Sequence, residues 1–159
     1  MRAAVNFLTG NHIINVSILA FLTAQVLKVL ILLIRYKKLD FRRLLGSGGM
    51  PSSHSAIVCA MAASVGKLYR LDSGLFAIAA VIAIVVMFDA SNVRRSAGEQ
   101  AKILNYIMEN WGHQKPEFVV KELKELLGHT PFEVFAGAAL GLLFGVCIPA
   151  PALPAVIGG

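Results

Sequence analysis

The chain has 159 residues, 57% of them hydrophobic and 15% charged, with a mean hydropathy of +0.70. That is too apolar for an ordinary water-soluble domain, and the length predicts a single domain over residues 1–159. The net charge of +6 does not point to nucleic acid, because the basic residues are tied to the ends of apolar blocks and no groove-reading motif accompanies them.

In chain order, the first apolar block runs from Ile13 to Ile34, broken by Gln25 and Lys28. Its length meets the roughly 20 residues a membrane span needs. A basic segment follows, then the turn GGMPSSHSA from Gly48 to Ala56 and a second block from Ser55 to Tyr69. The third block, Leu71 to Phe88, is strongly apolar after Asp72, and the fourth runs from Phe132 to Ile148. Between the last two lies a helical insert over 90–130. It reads as two surface helices, VRRSAGEQAKILNYI and KPEFVVKELKELLGH, with Pro116 able to open the second and Gly128 to close it. PAPALPAVIGG reads as a frayed tail. The predicted fold is all-α: an integral membrane bundle of about four transmembrane helices plus short cytosolic surface helices.

The first block is long for a signal h-region, and no cleavable signal peptide is expected. Cys59 and Cys147 both fall inside predicted spans and read as small core residues, not as a disulfide or a metal pair. With no CxxC and no HExxH, no metal or other cofactor is expected. Four alternating spans put Arg35, Lys37, Lys38, Arg42, Arg43, Arg94, Arg95, Lys102, Lys115, Lys121 and Lys124 on one face, against Arg2, Lys67 and Arg70 on the other. The rich side is assigned to the cytosol. The cations there also attract anionic membrane lipids.

Several polar residues gather at that same face. Lys28 and Arg35 lie seven apart, about two helical turns, on one side of the first span. His54 opens the second span, Asp89 ends the third with Arg94 and Arg95 just beyond, and His129 precedes Glu133 by one turn. Taken singly, each has an ordinary explanation: Lys28 can snorkel, and the two histidines can be helix-start residues. Together, two histidines, a carboxylate and three or four cations describe an anion site with acid–base chemistry. Lysine and arginine bind a phosphate and stabilise its oxygens as charge shifts. One neutral histidine can attack phosphorus, its ring held by a carboxylate, while a second, protonated, gives a proton to the leaving oxygen. Serines and N–H groups at a helix start complete such a cradle.

This set resembles the type 2 phosphatidic acid phosphatase superfamily, which includes vanadium-dependent haloperoxidases and carries the motifs Lys-x6-Arg-Pro, Pro-Ser-Gly-His and Ser-Arg-x5-His-x3-Asp. Here KVLILLIR gives Lys28-x6-Arg35 with Tyr36 in place of proline. PSSH gives Pro51 to His54 with Ser53 in place of glycine, and HTPFE gives His129-x3-Glu133 with Glu in place of Asp. The Ser-Arg half is missing before His129, where Leu123 stands. FDASNVRRSAGEQA supplies Arg94 instead, with Arg95 as the alternate, at the end of the third span. GGMPSSHSA, this run and GHTPFEVFAG together resemble the divergent branch of the superfamily, over nearly the whole chain.

The resemblance implies a metal-independent lipid phosphatase. His129 would be the nucleophile that forms a phosphohistidine, Glu133 its orienting carboxylate and His54 the general acid. Lys28, Arg35, Ser52, Ser53, Arg94 and Arg95 would bind phosphate. Implied substrates are phosphatidate, phosphatidylglycerophosphate or polyprenyl phosphates. The charge bias, not the resemblance, predicts a plasma (inner) membrane with the site facing the cytosol, whereas many members of the superfamily face the opposite side. The alternative is a non-enzymatic protein that binds anionic lipid or a partner through the same basic mouth. Pro51 is expected to start the second helix. Gly137 and Gly141 have a small-xxx-small spacing that allows close helix packing, and with it a homodimer.

Overall fold

The structure, a computed structural model, describes residues 9–37, 49–110 and 128–151. The side chains of Arg35 and Tyr36, nearly all of the predicted second surface helix and most of the C-terminal tail lie outside the described residues. Among those residues all regular structure is helical: α1 (His12–Tyr36), α2 (Ser53–Tyr69), α3 (Gly74–Phe88), α4 (Arg94–Glu109) and α5 (Pro131–Cys147). A π-helical segment, Asp89–Val93, joins α3 to α4.

Small polar caps start the four spans. The Asn11 side chain accepts from the N–H groups of Ile13 and Ile14, Ser52 from Ser55, Ser73 from Phe76 and Thr130 from Glu133. Each satisfies donors that have no partner inside their helix. At the other end of α5, the Lys67 ammonium donates to the carbonyls of Val146 (2.6 Å) and Ile148 (2.9 Å). A cation there opposes the negative end of the helix dipole.

The distribution of side chains reverses that of a soluble protein. Leu22, Val26, Leu30 and Ile34 of α1, Ile78, Val81 and Val85 of α3, and Phe135, Leu143 and Val146 of α5 face outward. The interior holds alanines and polar groups: Ala20, Ala24, Ala56, Ala60, Lys28, Ser52, Ser55, Ser64 and His129. Large apolar groups outside and small or polar groups inside suit a lipid surround, where close packing replaces the hydrophobic effect between helices. α1, over His12–Ile34, and the continuous helix Gly74–Glu109 are long and apolar enough to cross a bilayer. α2 and α5, 17 residues each, reach the lower limit for a span. The chain is the all-α integral membrane bundle its sequence predicts.

Three details differ from expectation. Pro51 does not start α2: Ser52 is the N-cap and Ser53 the first helical residue, and the Met50–Pro51 peptide is cis. VRRSAGEQAKILNYI is helical, but it extends α3 through the π segment without a break and is not a separate surface helix. Cys59 is buried as expected, whereas Cys147 is exposed.

α2 is the central helix, packed on α5, α1 and α3. Its contact with α5 is backbone to backbone. A Cβ at Gly137 would overlap the Ser52 carbonyl oxygen, one at Gly141 the Ala56 carbonyl oxygen, and one at Gly145 the Ala63 Cβ. The glycine stripe therefore faces α2 of the same chain, and its spacing carries no argument for a dimer. Gly141→Val should cost about 3 kcal/mol or more, since the clash is with backbone that cannot rotate away. Gly74→Ala, where a Cβ meets open space, should leave stability unchanged or raise it by about 0.5 kcal/mol. Thermal unfolding in detergent compares them; equal midpoints for Gly141→Val and the native chain would refute the close approach.

Candidate active site

Three backbone contacts build the site. The Ser52 N–H donates to the Glu133 carbonyl (2.9 Å) and ties the PSSH turn to the first turn of α5. The His129 N–H donates to the Ala90 carbonyl (2.9 Å) and ties the residue before the α5 cap to the π segment. Gly128 sits at φ +102°, and a Cβ there would overlap the backbone at Arg95. Only glycine tolerates both that conformation and that approach. Gly128 thus brings the end of the insert onto the start of α4, which is a further task than closing a surface helix.

The side chains follow. His129 is 2% exposed, and its Nδ1 lies 3.2 Å from Glu133 Oε2. The same carboxylate oxygen accepts the Thr130 N–H at 3.0 Å, while the Glu133 N–H donates to Thr130 Oγ1 at 3.3 Å. This is a reciprocal capping box. The sequence carried its signal, Thr130-x-x-Glu133, so the helix-start explanation and the site explanation of this motif hold together. His54, an exposed residue on the first turn of α2, faces His129 with ring centroids 6.4 Å apart in an edge-on arrangement.

Lys28 does not snorkel outward. It is 2% exposed, and its stem runs under Gly49, where a Cβ would meet Lys28 Cγ at 3.2 Å and Cδ at 3.3 Å. Gly49 adopts φ +92°, the left-handed conformation expected of a glycine in this turn. The charge of Lys28 bears on both histidines. Arg94 bears on His54 as well, as does Asp89, whose Oδ2 accepts from Arg94 Nε at 2.7 Å. Arg95 instead pairs along the α4 surface with Glu99 at 3.1 Å.

Ser52 and Ser53 are buried. The Ser52 oxygen accepts from the Ser55 N–H (3.4 Å) and the Ser55 hydroxyl (3.1 Å), so its first task is to hold the start of α2. The Arg35 side chain lies outside the described residues. Asp89 was visible in the sequence at this face but without a role. Its contact with Arg94 depends on the π segment, which no periodicity signals.

Residues 9–144 match the divergent PAP2 family. The chain belongs to that family. It is also 46% identical over 137 residues to the uncharacterized membrane protein YuiD of Bacillus subtilis (strain 168), covering 80% of this chain and 87% of that one. No solved structure matches the chain. The family match spans Lys28, His54, Arg94, His129 and Glu133, the residues that the fold brings to one end of the bundle.

Burial holds the His129 imidazole below the ordinary histidine range, and the nearby Lys28 and His54 push the same way. The bond to Glu133 and its charge oppose this without overcoming it. His129 is therefore a neutral ring at neutral pH. The unfolded chain takes up the proton first on acidification, so the stability that rests on neutral His129 is present above the ordinary histidine value. It is lost as pH falls toward the depressed one. Glu133→Gln should move the His129 titration lower still and Lys28→Met should move it up, read by NMR on histidine-labelled protein in detergent. Shifts of the opposite sign would refute this electrostatic arrangement.

Proposed function

We propose that this member of the divergent PAP2 family is a metal-independent lipid-phosphate phosphatase working through a phosphohistidine. The observation that carries the reading is the buried His129, paired with a half-buried Glu133 and facing His54, with Lys28 buried at the same end of the bundle. Glu133 engages Nδ1 of His129, which leaves Nε2 as the attacking nitrogen. Nε2 bonds to phosphorus as the ester P–O bond breaks, and His54 gives its proton to the departing oxygen. Water then attacks the phosphohistidine with neutral His54 as base. The N–P bond breaks, inorganic phosphate leaves and both histidines return to their starting states. Lys28 and Arg94, with Arg35, neutralise the phosphoryl oxygens, and the first-turn N–H groups of α2 at Ser53 and His54 add their dipoles. Arg94 is favoured over Arg95 because its charge reaches His54, whereas Arg95 is turned to Glu99.

An apolar groove between α3 and α5 supports a lipid as substrate. It measures about 790 Å³, with Cys59, Ala62, Ala63 and Gly66 of α2 among its lining residues. A smaller hollow shares Ile84, Met87 and Phe135 with it and reaches Ser91 and Pro131, two residues from His129. A hydrocarbon chain in this groove would leave its phosphate at the histidine mouth. Substrate entry is thus lateral, from the bilayer, and the basic ends of the spans favour a site on the cytosolic face of a plasma (inner) membrane.

Purified protein in detergent, given phosphatidate, phosphatidylglycerophosphate and polyprenyl phosphates without metal, should release phosphate that vanadate blocks. His129→Ala should lower the rate by at least about 1,000-fold. No release from any of the panel, with phosphate still bound, would favour the non-enzymatic anion-binding reading instead. For sidedness, a cysteine placed at the exposed Asn92 in a Cys147→Ser background should react with a membrane-impermeant thiol reagent only after the cells are opened. Labelling of intact cells would reverse the orientation.

A further inference from the structure

The π-helical segment brings together two residues that an α-helix would separate. Five residues at 3.6 per turn leave two side chains about 140° apart around an α-helix. Between Asp89 and Val93 the chain is instead π-helical, and the Arg94 N–H donates to the Asp89 carbonyl, an i→i+5 bond. Arg94 then lies over Asp89, and its Nε reaches Asp89 Oδ2 at 2.7 Å. The two side chains are 45% and 39% exposed, and ion pairs at such exposure add little to stability. The segment has a second product, since its Ala90 carbonyl receives the His129 N–H. One local change of helix type thus anchors the backbone of His129 and places a carboxylate on an arginine whose charge reaches His54.

We infer that Asp89 is a positioning residue for the phosphate site: it grips Arg94 at Nε and so aims the terminal Nη groups at the anion between His54 and His129. The assignment rests on the phosphatase-type site proposed above. An arginine held at Nε keeps its terminal fork for an incoming phosphate and loses less freedom on binding it. The competing role for a carboxylate at an anion site is repulsion, and the two roles predict opposite signs. If Asp89 only repels, removing it tightens phosphate binding; if it positions Arg94, removing it weakens binding although a negative charge has left the mouth.

The test is calorimetric titration of the purified full chain with inorganic phosphate and with vanadate. Asp89→Ala should weaken binding about tenfold, whereas Asp89→Asn, which keeps an acceptor for Arg94 Nε, should stay within about threefold of native. In an Arg94→Ala background, Asp89→Ala should have no further effect, because the two act as one unit. Equal or tighter binding in Asp89→Ala, or a loss that adds to that of Arg94→Ala, overturns the assignment. A chain whose binding follows this pattern but which releases no phosphate from any lipid sinks the phosphatase reading and leaves Asp89 as assigned. Turnover that is indifferent to Asp89→Ala does the reverse, and a native chain that binds neither anion overturns both.

Discussion

The backbones of α2 and α5 touch, and the site depends on that contact. Glycines 137, 141 and 145 remove every side chain from one stripe of α5, so that α2 settles against its carbonyl-to-glycine face. The Ser52 N–H closes the same contact at the end nearest the two histidines by donating to the Glu133 carbonyl. His54 lies two residues after Ser52, and His129 four before Glu133, so the packing of α2 on α5 sets their separation together with the bond from the His129 N–H to the Ala90 carbonyl. A Cβ on that stripe would push the helices apart, and in the proposed reaction a displacement of about 1 Å would cost on the order of 100-fold in rate.

A buried lysine is the next constraint. An amine in this position is costly unless it faces a polar interior or an anion. Lys28 lies with its stem under Gly49 and its charge within reach of both histidines and Glu133. Large apolar side chains such as Leu22, Val26 and Leu30 face outward on the same helix. Burial keeps His129 neutral, as the nucleophile of the proposed reaction must be, and would strengthen whatever charge is offered to a bound phosphate.

The spans, their order and the convergence of Lys28, His54, Arg94 and His129 on one end were legible in the sequence, because apolar blocks of span length and polar residues at their borders are one-dimensional signals. The helix boundaries at Ser53 and Pro131 were partly legible: Ser52 and Thr130 are cap residues, and Thr130-x-x-Glu133 is a capping box. The continuity of α3 with α4 was not. A π-helical segment has no hydrophobic period of its own, and five residues are too few to shift the pattern around them. That is also why Asp89 stood at the right face without a role. The choice between Arg94 and Arg95 depended on the same turn, since neighbouring residues on a helix point about 100° apart and only the phase after the π segment decides which one meets His54.

The motif at the start of α5 shows why an ordinary structural explanation and a catalytic one need not compete. Glu133 closes a capping box with Thr130, and any helix could carry that arrangement for stability alone. Here the carboxylate oxygen that accepts the Thr130 N–H is also the one beside His129 Nδ1. The cap fixes the carboxylate, and the carboxylate holds the ring at Nδ1. The His129 backbone is fixed independently by the Ala90 carbonyl. A small membrane protein has few residues to spare for a supporting layer around its reactive groups. This chain draws that layer from the hydrogen bonds its helices must make in any case.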